Sequence, residues 1–226
     1  AGNLVLTALA EVTGSTVAAL DHAAQLLRAA GRVLPLTTDR VDIVADVIGV
    51  SGHPPDELVE VRGQVAVATT TGRVVDVRLE PDSPIACPDA VRAVLDADVV
   101  VLGPGSLFTS VFPHLMVAEL RAAIVKTAAQ RIFTLNLVAQ PGETSGFSPE
   151  AHIHALAAHA PELRLDHVVA DESVLDRDGL MDAAATLGAE VHFAWVAAAN
   201  GVARHDPVRL ATAYGELIRH DAAAGG

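Results

Sequence analysis

The sequence predicts an α/β protein with a mostly parallel sheet and a small antiparallel β insertion. Three observations carry this. From Pro81 onward, short apolar runs alternate with helical segments, as repeated βαβ units do. One of those runs, residues 99–102, passes straight into Gly103-Pro104-Gly105-Ser106. Before Pro81, residues 73–79 alternate apolar with polar side chains, the pattern of a half-exposed antiparallel strand.

Taken in order, residues 3–30 are rich in Leu and Ala at helical spacing. Gly14-Ser15-Thr16 divides them into two helices, with Ser15 or Thr16 as N-cap of the second. Residues 32–37 and 41–50 are β-branched, bounded by turn formers, and predict two strands. Gly52-His53-Pro54-Pro55 predicts a turn, and strands at 58–67 and 73–79 flank Thr69-Thr70-Thr71-Gly72. Residues 41–80 thus form the β-rich insertion. Beyond it the pattern predicts helix 88–96, strand 99–102, helix 114–128, strand 132–138 and helix 149–160. Strand 167–170, helix 180–187, strand 190–196 and helix 207–219 complete the series, joined by right-handed crossovers. The whole chain, 1–226, is expected to be one domain, fraying over 222–226.

Apolar residues make up 51% of the chain, much of it alanine, which suits close helix–sheet packing. With 3% aromatic residues, no aromatic binding platform is expected. The formal charge of −13 opposes nucleic acid, which demands a basic face, and an anionic membrane surface. No uninterrupted apolar run approaches the ~20 residues of a membrane span. The single cysteine, Cys87, has no partner for an internal disulfide and fits a reducing cytoplasm. The chain opens Ala1-Gly2-Asn3 without a methionine, so it is expected to be the later part of a longer protein.

Two loops at the carboxyl ends of apolar strands carry the chemistry. Glycines at 103 and 105 let a backbone approach a phosphate closely, and Ser106, Thr109 and Ser110 add hydroxyls. The same residues also suit a plain strand-to-helix turn capped by Ser106. In Gln140-Pro141-Gly142-Glu143-Thr144, Pro-Gly signals a turn of type II. Glu143 offers a carboxylate for a ligand hydroxyl or a magnesium ion, or caps the helix near Pro149. Asn136, polar inside an apolar strand, needs a backbone or ligand partner. His152 and His159 share a helix face while His154 points elsewhere, so the three do not converge on a metal. In Arg204-His205-Asp206-Pro207, Asp206 is a natural N-cap with Pro207 in the first turn. Arg204 is then free to pair a phosphate. No nucleophile elbow with Ser, His and Asp, and no CxxC, is present.

Together, Gly2-Asn3-Leu4, Gly103-Pro104-Gly105-Ser106-Leu107-Phe108-Thr109-Ser110 and Gln140-Pro141-Gly142-Glu143-Thr144 resemble the CofD-like superfamily. Within it the chain is most similar to the gluconeogenesis factor branch, the YvcK- and CuvA-type proteins. The resemblance implies a three-layer Rossmann-like fold and a cytoplasmic regulator that binds UDP-N-acetylglucosamine. It also implies roles in cell-wall synthesis, cell shape and carbon metabolism, with cell-wall proteins, a Ser/Thr kinase and a second copy of the chain as partners. In that reading, Gly103, Gly105 and Ser106 hold a diphosphate through backbone amides, with Thr109 and Ser110 adding hydroxyl contacts. Asn136 and Glu143 meet ribose or sugar hydroxyls, and Arg204 neutralises phosphate charge. Asn3, Pro104, Leu107, Gln140, Gly142 and Thr144 complete the expected set.

The CofD branch itself implies magnesium-dependent transfer of a phospholactyl group to a deazaflavin. That branch carries a Gly-Pro-Ser-Asn-Pro type loop, from which Gly105-Ser106-Leu107 departs. A scaffold for cell-wall enzymes, with a vestigial crevice, is the third expectation. The family's opening strand, glycine-rich nucleotide loop and Asp-Asp-Gly-Gly segment do not occur in this sequence.

Overall fold

The computed structural model describes residues 2–140, 143, 144, 146–199 and 202–224, with side chains through residue 218. Helices α1 (Gly2–Thr13) and α2 (Thr16–Leu27) form a hairpin. The break falls where the sequence places it: Gly14 takes a φ of 67°. Ser15 then caps α2, its hydroxyl accepting from the Ala18 amide at 3.3 Å.

Residues 32–37 form no strand. Pro35 has no amide to give a ladder, and Arg32 is held to Asp21 and Asp89 instead. The segment runs extended, meeting residues 85–87 through the Thr37–Ala86 bridge, the Cys87 amide on the Leu36 carbonyl and the Thr37 hydroxyl on the Ile85 carbonyl. Strands β1 (Asp42–Ile48), β2 (Val59–Arg62) and β3 (Arg73–Glu80) make an antiparallel sheet of order β2-β1-β3. The strand expected over 58–67 stops early because Gly63, at φ 95°, turns the chain into the short helix α3 (Gln64–Ala68). One face of this sheet carries Ile43, Ala45, Val47, Val77 and Leu79 into the main core. The other carries an exposed ladder in which Arg62 and Arg78 pair with Asp42, Asp46, Glu60 and Glu80.

Helix α4 (Pro88–Leu95) leads into β4 (Val99–Leu102). A π-helical turn, Leu107–Val111, and helix α5 (Phe112–Met116) follow the glycine loop. Val117 is extended and separates α5 from α6 (Ala118–Lys126), so the helix expected over 114–128 is two. Then come β5 (Gln130–Thr134), α7 (Pro149–His159), β6 (His167–Asp171), α8 (Arg177–Ala185), β7 (Glu190–Ala194) and α9 (Pro207–Ala224).

Strands β4 to β7 form one parallel sheet in sequential order. Repeated right-handed crossovers in that order stack α6, α7 and α8 on one face, where Leu120, Ile124, Ile153, Leu156 and Leu180 join the main core. After β7 the chain turns back, and α9 covers the opposite face through Ala213 and Leu217, packed on Ile132, Val169 and Val196. The result is a three-layer α/β architecture with the antiparallel sheet alongside. All carboxyl ends of the parallel strands open to one edge, where such sheets take ligands.

Candidate functional site

The loop after β4 owes its shape to two glycines with different duties. Gly103 has a φ of 75°, and a Cβ there would lie 2.8 Å from the Thr134 carbonyl oxygen. Only glycine passes that point. Gly105 has an ordinary φ, and its Cβ would touch the Ser110 side chain at 3.4 Å, a normal contact. Its missing side chain is therefore not demanded by the fold. Between them, Pro104 is exposed, and the Gly103–Pro104 peptide is cis.

Two clamps hold the loop from neighbouring strands. From the end of β5, Asn136 Oδ1 accepts from the Gly105 amide at 3.1 Å, and its Nδ2 donates to the Gly105 carbonyl at 2.8 Å. From the next loop, Glu143 accepts through Oε2 from the Ser106 hydroxyl. Ser106 Oγ in turn accepts from the Thr109 amide at 3.0 Å and the Thr109 hydroxyl at 2.6 Å. One donor and two acceptor positions are all a hydroxyl has. Ser106 Oγ is fully committed inside the protein, and its chemistry is that of an N-cap, not a nucleophile. The antiparallel insertion supports the same turn, Gln64 Nε2 donating to the Thr109 carbonyl at 3.3 Å.

These clamps lie below the surface. Ser106 is 9% exposed, Thr109 6%, Glu143 1% and Thr144 0%; Leu107 is buried as core. Ser110 is exposed, and its carbonyl binds His114 Nδ1. Thr144 Oγ1 accepts from the Gln140 amide at 2.8 Å, closing the second turn. Glu143 Oε1 and Gln140 Oε1 are buried acceptors without a partner. A magnesium ion is held by one or two carboxylates together with substrate phosphates. Glu143 offers one such oxygen, but no cluster of three His, Cys, Asp or Glu exists among the described residues. That is not a built cation site. Gly142 lies outside the described residues, and Asn3 sits exposed in the first turn of α1, which packs chiefly on α2.

Beside the glycine loop, a pocket of about 350 Å³ opens over the carboxyl ends of β5 and β6. Asn136, Ser148, Glu150, Asp171, Ser173 and Asp176 supply its polar lining. The sequence reading overlooked Asp171, although a carboxylate ending the run His-Val-Val-Ala-Asp is the available signal. Its Oδ2 accepts from the Val196 and Ala197 amides, both at 3.0 Å, and its Oδ1 from Ser173 at 3.0 Å. Burial pushes the carboxyl up, but these hydrogen bonds outweigh it and hold Asp171 below the ordinary carboxylate range.

The segment before α9 folds back over the same edge. Asp206 caps α9 as expected, accepting from the Val208 amide at 2.9 Å and the Arg209 amide at 3.1 Å. His205 bonds the Leu135 carbonyl; burial lowers its pKa, while that bond and Asp171 pull it up in part. Arg204 is exposed and pairs with no carboxylate among the described residues. It stands one residue from a group that reaches the end of β5.

The histidines of α7 are packed rather than gathered. His159 stacks on Phe112, centroids 4.3 Å apart and planes 2° from parallel, and His152 meets Phe147 edge-on at 5.5 Å. Phe108 bridges Phe112 and Phe147. The rings tie α7 to the π-helical turn behind the glycine loop.

Comparison with known proteins agrees along the chain. The family model described as 2-phospho-L-lactate transferase CofD matches residues 1–204. A Mycobacterium tuberculosis protein named "Putative gluconeogenesis factor" is 47% identical over 227 residues, covering 99% of this chain and 66% of that one. A protein of the same name from Deinococcus radiodurans is 33% identical over 231 residues, covering 96% of this chain and 47% of its own. This chain thus spans about two thirds of the first relative's length and about half of the second's. Among solved structures, a member of the UPF0052 family from Bacillus halodurans superposes with a TM-score of 0.80 at 22% identity. That match covers 96% of this chain and 71% of the other, and shows the shared fold.

Proposed function

The chain belongs to the CofD family, and from that premise we propose that it is a cytoplasmic nucleotide-sugar-binding regulator of the gluconeogenesis factor type. Its ligand in this reading is UDP-N-acetylglucosamine, and its influence falls on cell-wall synthesis, cell shape and carbon metabolism. The observation that carries the reading is the Gly103–Ser106 backbone. Asn136 fixes the peptide groups on both sides of Gly105, Ser106 caps the turn that follows through the Thr109 amide, and Gly105 keeps an opening that the fold does not require. A pre-set, side-chain-free backbone at the carboxyl edge of a parallel sheet is the arrangement that accepts a diphosphate.

In this account Gly103 and Ser106 present backbone amides to the diphosphate, with the exposed Ser110 hydroxyl beside them. The Gly105 amide, expected to join them, is held by Asn136 instead, and Gly105 contributes the open space of its missing side chain. Asn136 and Glu143 act by holding the loop, their side chains being turned on Gly105 and Ser106. The pocket carboxylates Glu150 and Asp176 meet ligand hydroxyls, and Arg204 supplies the positive charge. Binding rather than turnover is favoured because the Ser106 hydroxyl nearest the loop is fully committed, donating to Glu143 and accepting twice from Thr109. Among the described residues no single helix is long and apolar enough to cross a membrane. Cell-wall proteins, a Ser/Thr kinase and a second copy of the chain remain the partners this reading proposes.

A second reading, magnesium-dependent 2-phospho-L-lactate transfer, draws on the description of the matching family model. One experiment separates the two. Isothermal calorimetry of the full-length protein with UDP-N-acetylglucosamine is expected to show saturable binding without product. Phospholactyl transfer to a deazaflavin in the presence of magnesium, without nucleotide-sugar binding, moves the assignment to the transferase. Neither activity leaves the scaffold.

A further inference from the structure

We propose that Trp195 is the residue that stacks the nucleobase of the ligand, at the end of the crevice opposite the Gly103 loop; this rests on the nucleotide-sugar reading above. Trp195 is the chain's single tryptophan, follows β7 directly, and leaves 66% of its surface in water. A low aromatic content argues against an extended platform, but one base needs one ring.

The backbone on either side of the indole is fixed to the pocket wall. The Glu172 amide donates to the Ala194 carbonyl at 3.1 Å, and the Val196 amide to Asp171 Oδ2 at 3.0 Å. Val196 is buried against α9, whereas Phe193 packs on the opposite face with the Arg177 guanidinium 4.4 Å above its ring. Alternation along the strand sends Trp195 to the Phe193 side. That is the side of α7 and α8, whose first residues, Pro149 and Glu150 from one and the cap Asp176 from the other, line the pocket. An exposed indole on a locked backbone, immediately before the amides that hold the pocket-lining Asp171, is a binding surface with little entropy left to lose.

The order of groups across the edge matches the order of groups in the ligand. From β4 to β7 is three strand spacings, about 14 Å. A nucleoside diphosphate laid along that line, with phosphates at Gly103–Ser106, brings its ribose over Glu150 and Asp176. Carboxylates suit ribose hydroxyls. The base then reaches Trp195, and the sugar beyond the diphosphate falls on the β4 side.

The test is a titration of the full-length protein with UDP, UDP-N-acetylglucosamine and N-acetylglucosamine 1-phosphate, followed by calorimetry and by tryptophan fluorescence. UDP and UDP-N-acetylglucosamine should change the fluorescence, with the change absent in Trp195→Phe, and the sugar phosphate should not. Base stacking on an aromatic ring predicts that Trp195→Ala weakens UDP about ten- to a hundred-fold, while Trp195→Phe stays within a few-fold of wild type. Calorimetric binding of UDP-N-acetylglucosamine with unaltered fluorescence, or with equal affinity in Trp195→Ala, overturns the stacking role and leaves the nucleotide-sugar reading standing. A fluorescence response to the sugar phosphate alone overturns the base assignment. Failure of the wild-type protein to bind UDP-N-acetylglucosamine overturns both.

Discussion

Asn136 and Gly105 hold each other twice, amide to peptide, with the Gly105 N–H donating to Oδ1 at 3.1 Å and its carbonyl accepting from Nδ2 at 2.8 Å. The pair ties the loop after β4 to the end of β5. Replacing the side chain changes both bonds at once. Asn136→Asp keeps the acceptor but sets a carboxylate oxygen against the Gly105 carbonyl. We expect a loss of about 1–3 kcal/mol in stability, read from urea midpoints, and weaker ligand binding in the folded fraction.

The Ser106–Glu143 bond predicts strong non-additivity. Ser106→Ala leaves a carboxylate that is 1% exposed without a partner on either oxygen, a defect worth about 1.5–3 kcal/mol. Glu143→Gln retains an acceptor for the Ser106 hydroxyl and should cost less. The double variant Ser106→Ala with Glu143→Leu should cost less than the sum of Ser106→Ala and Glu143→Leu made singly. Denaturant midpoints of wild type, those two singles and the double measure the coupling. Ser106→Asp is unsuited to probing a ligand contact, because it sets a second carboxylate against Glu143.

Gly103→Ala tests the fold rather than the ligand. The φ of 75° and the Thr134 oxygen 2.8 Å from a Cβ both oppose it. The backbone conformation alone costs about 1–2 kcal/mol, and the contact adds to it. Thermal melts should show a clear fall in Tm, with or without ligand.

Acid should loosen α7. His152 Nδ1 bonds the Ser148 carbonyl at 2.8 Å, and Nε2 is buried without a partner. Burial pushes its pKa down, with the Ser148 bond and Glu150 opposing in part. A histidine lowered in the folded state takes up its proton first in the unfolded state. Its contribution is therefore intact above about pH 6.5 and is lost as pH falls toward the lower folded value. The slope is at most about 1.4 kcal/mol per pH unit for this group. His152→Phe, which keeps a ring beside Phe147, should lessen the fall in stability between pH 6.5 and pH 5, the remainder coming from His159 and His205, which burial lowers likewise. Asp171, lowered by its hydrogen bonds, adds acid lability only below about pH 4.

How much was legible beforehand follows from what each residue answers to. The parallel strands were readable because their apolar runs are set by local pattern, and Ser15 and Asp206 because caps are local chemistry; the cap of α7, expected from Glu143, is Ser148 instead. Residues 32–37 misled because their β-branched run has no long partner and is anchored by an ion pair from Arg32 to α2 and α4. The break at Val117 has no Gly or Pro at that position to announce it. In the site, glycine spacing marked the loop, but it could not assign Gly103 to strand clearance and Gly105 to opening. Nor could it show Asn136 and Glu143 turned inward, since their partners lie 31 and 37 residues away. Asp171 and Trp195 escaped because strand ends are blurred in sequence, and their roles depend on which edge they reach.

Gly105→Ala measures the central claim most directly, because the added methyl meets only an ordinary 3.4 Å contact with Ser110. The account predicts an unchanged melting temperature and an unchanged urea midpoint, with UDP-N-acetylglucosamine binding by calorimetry weakened at least ten-fold. A folded Gly105→Ala protein that binds this ligand as tightly as wild type would contradict it, and would take the Gly103–Ser110 loop out of the binding site.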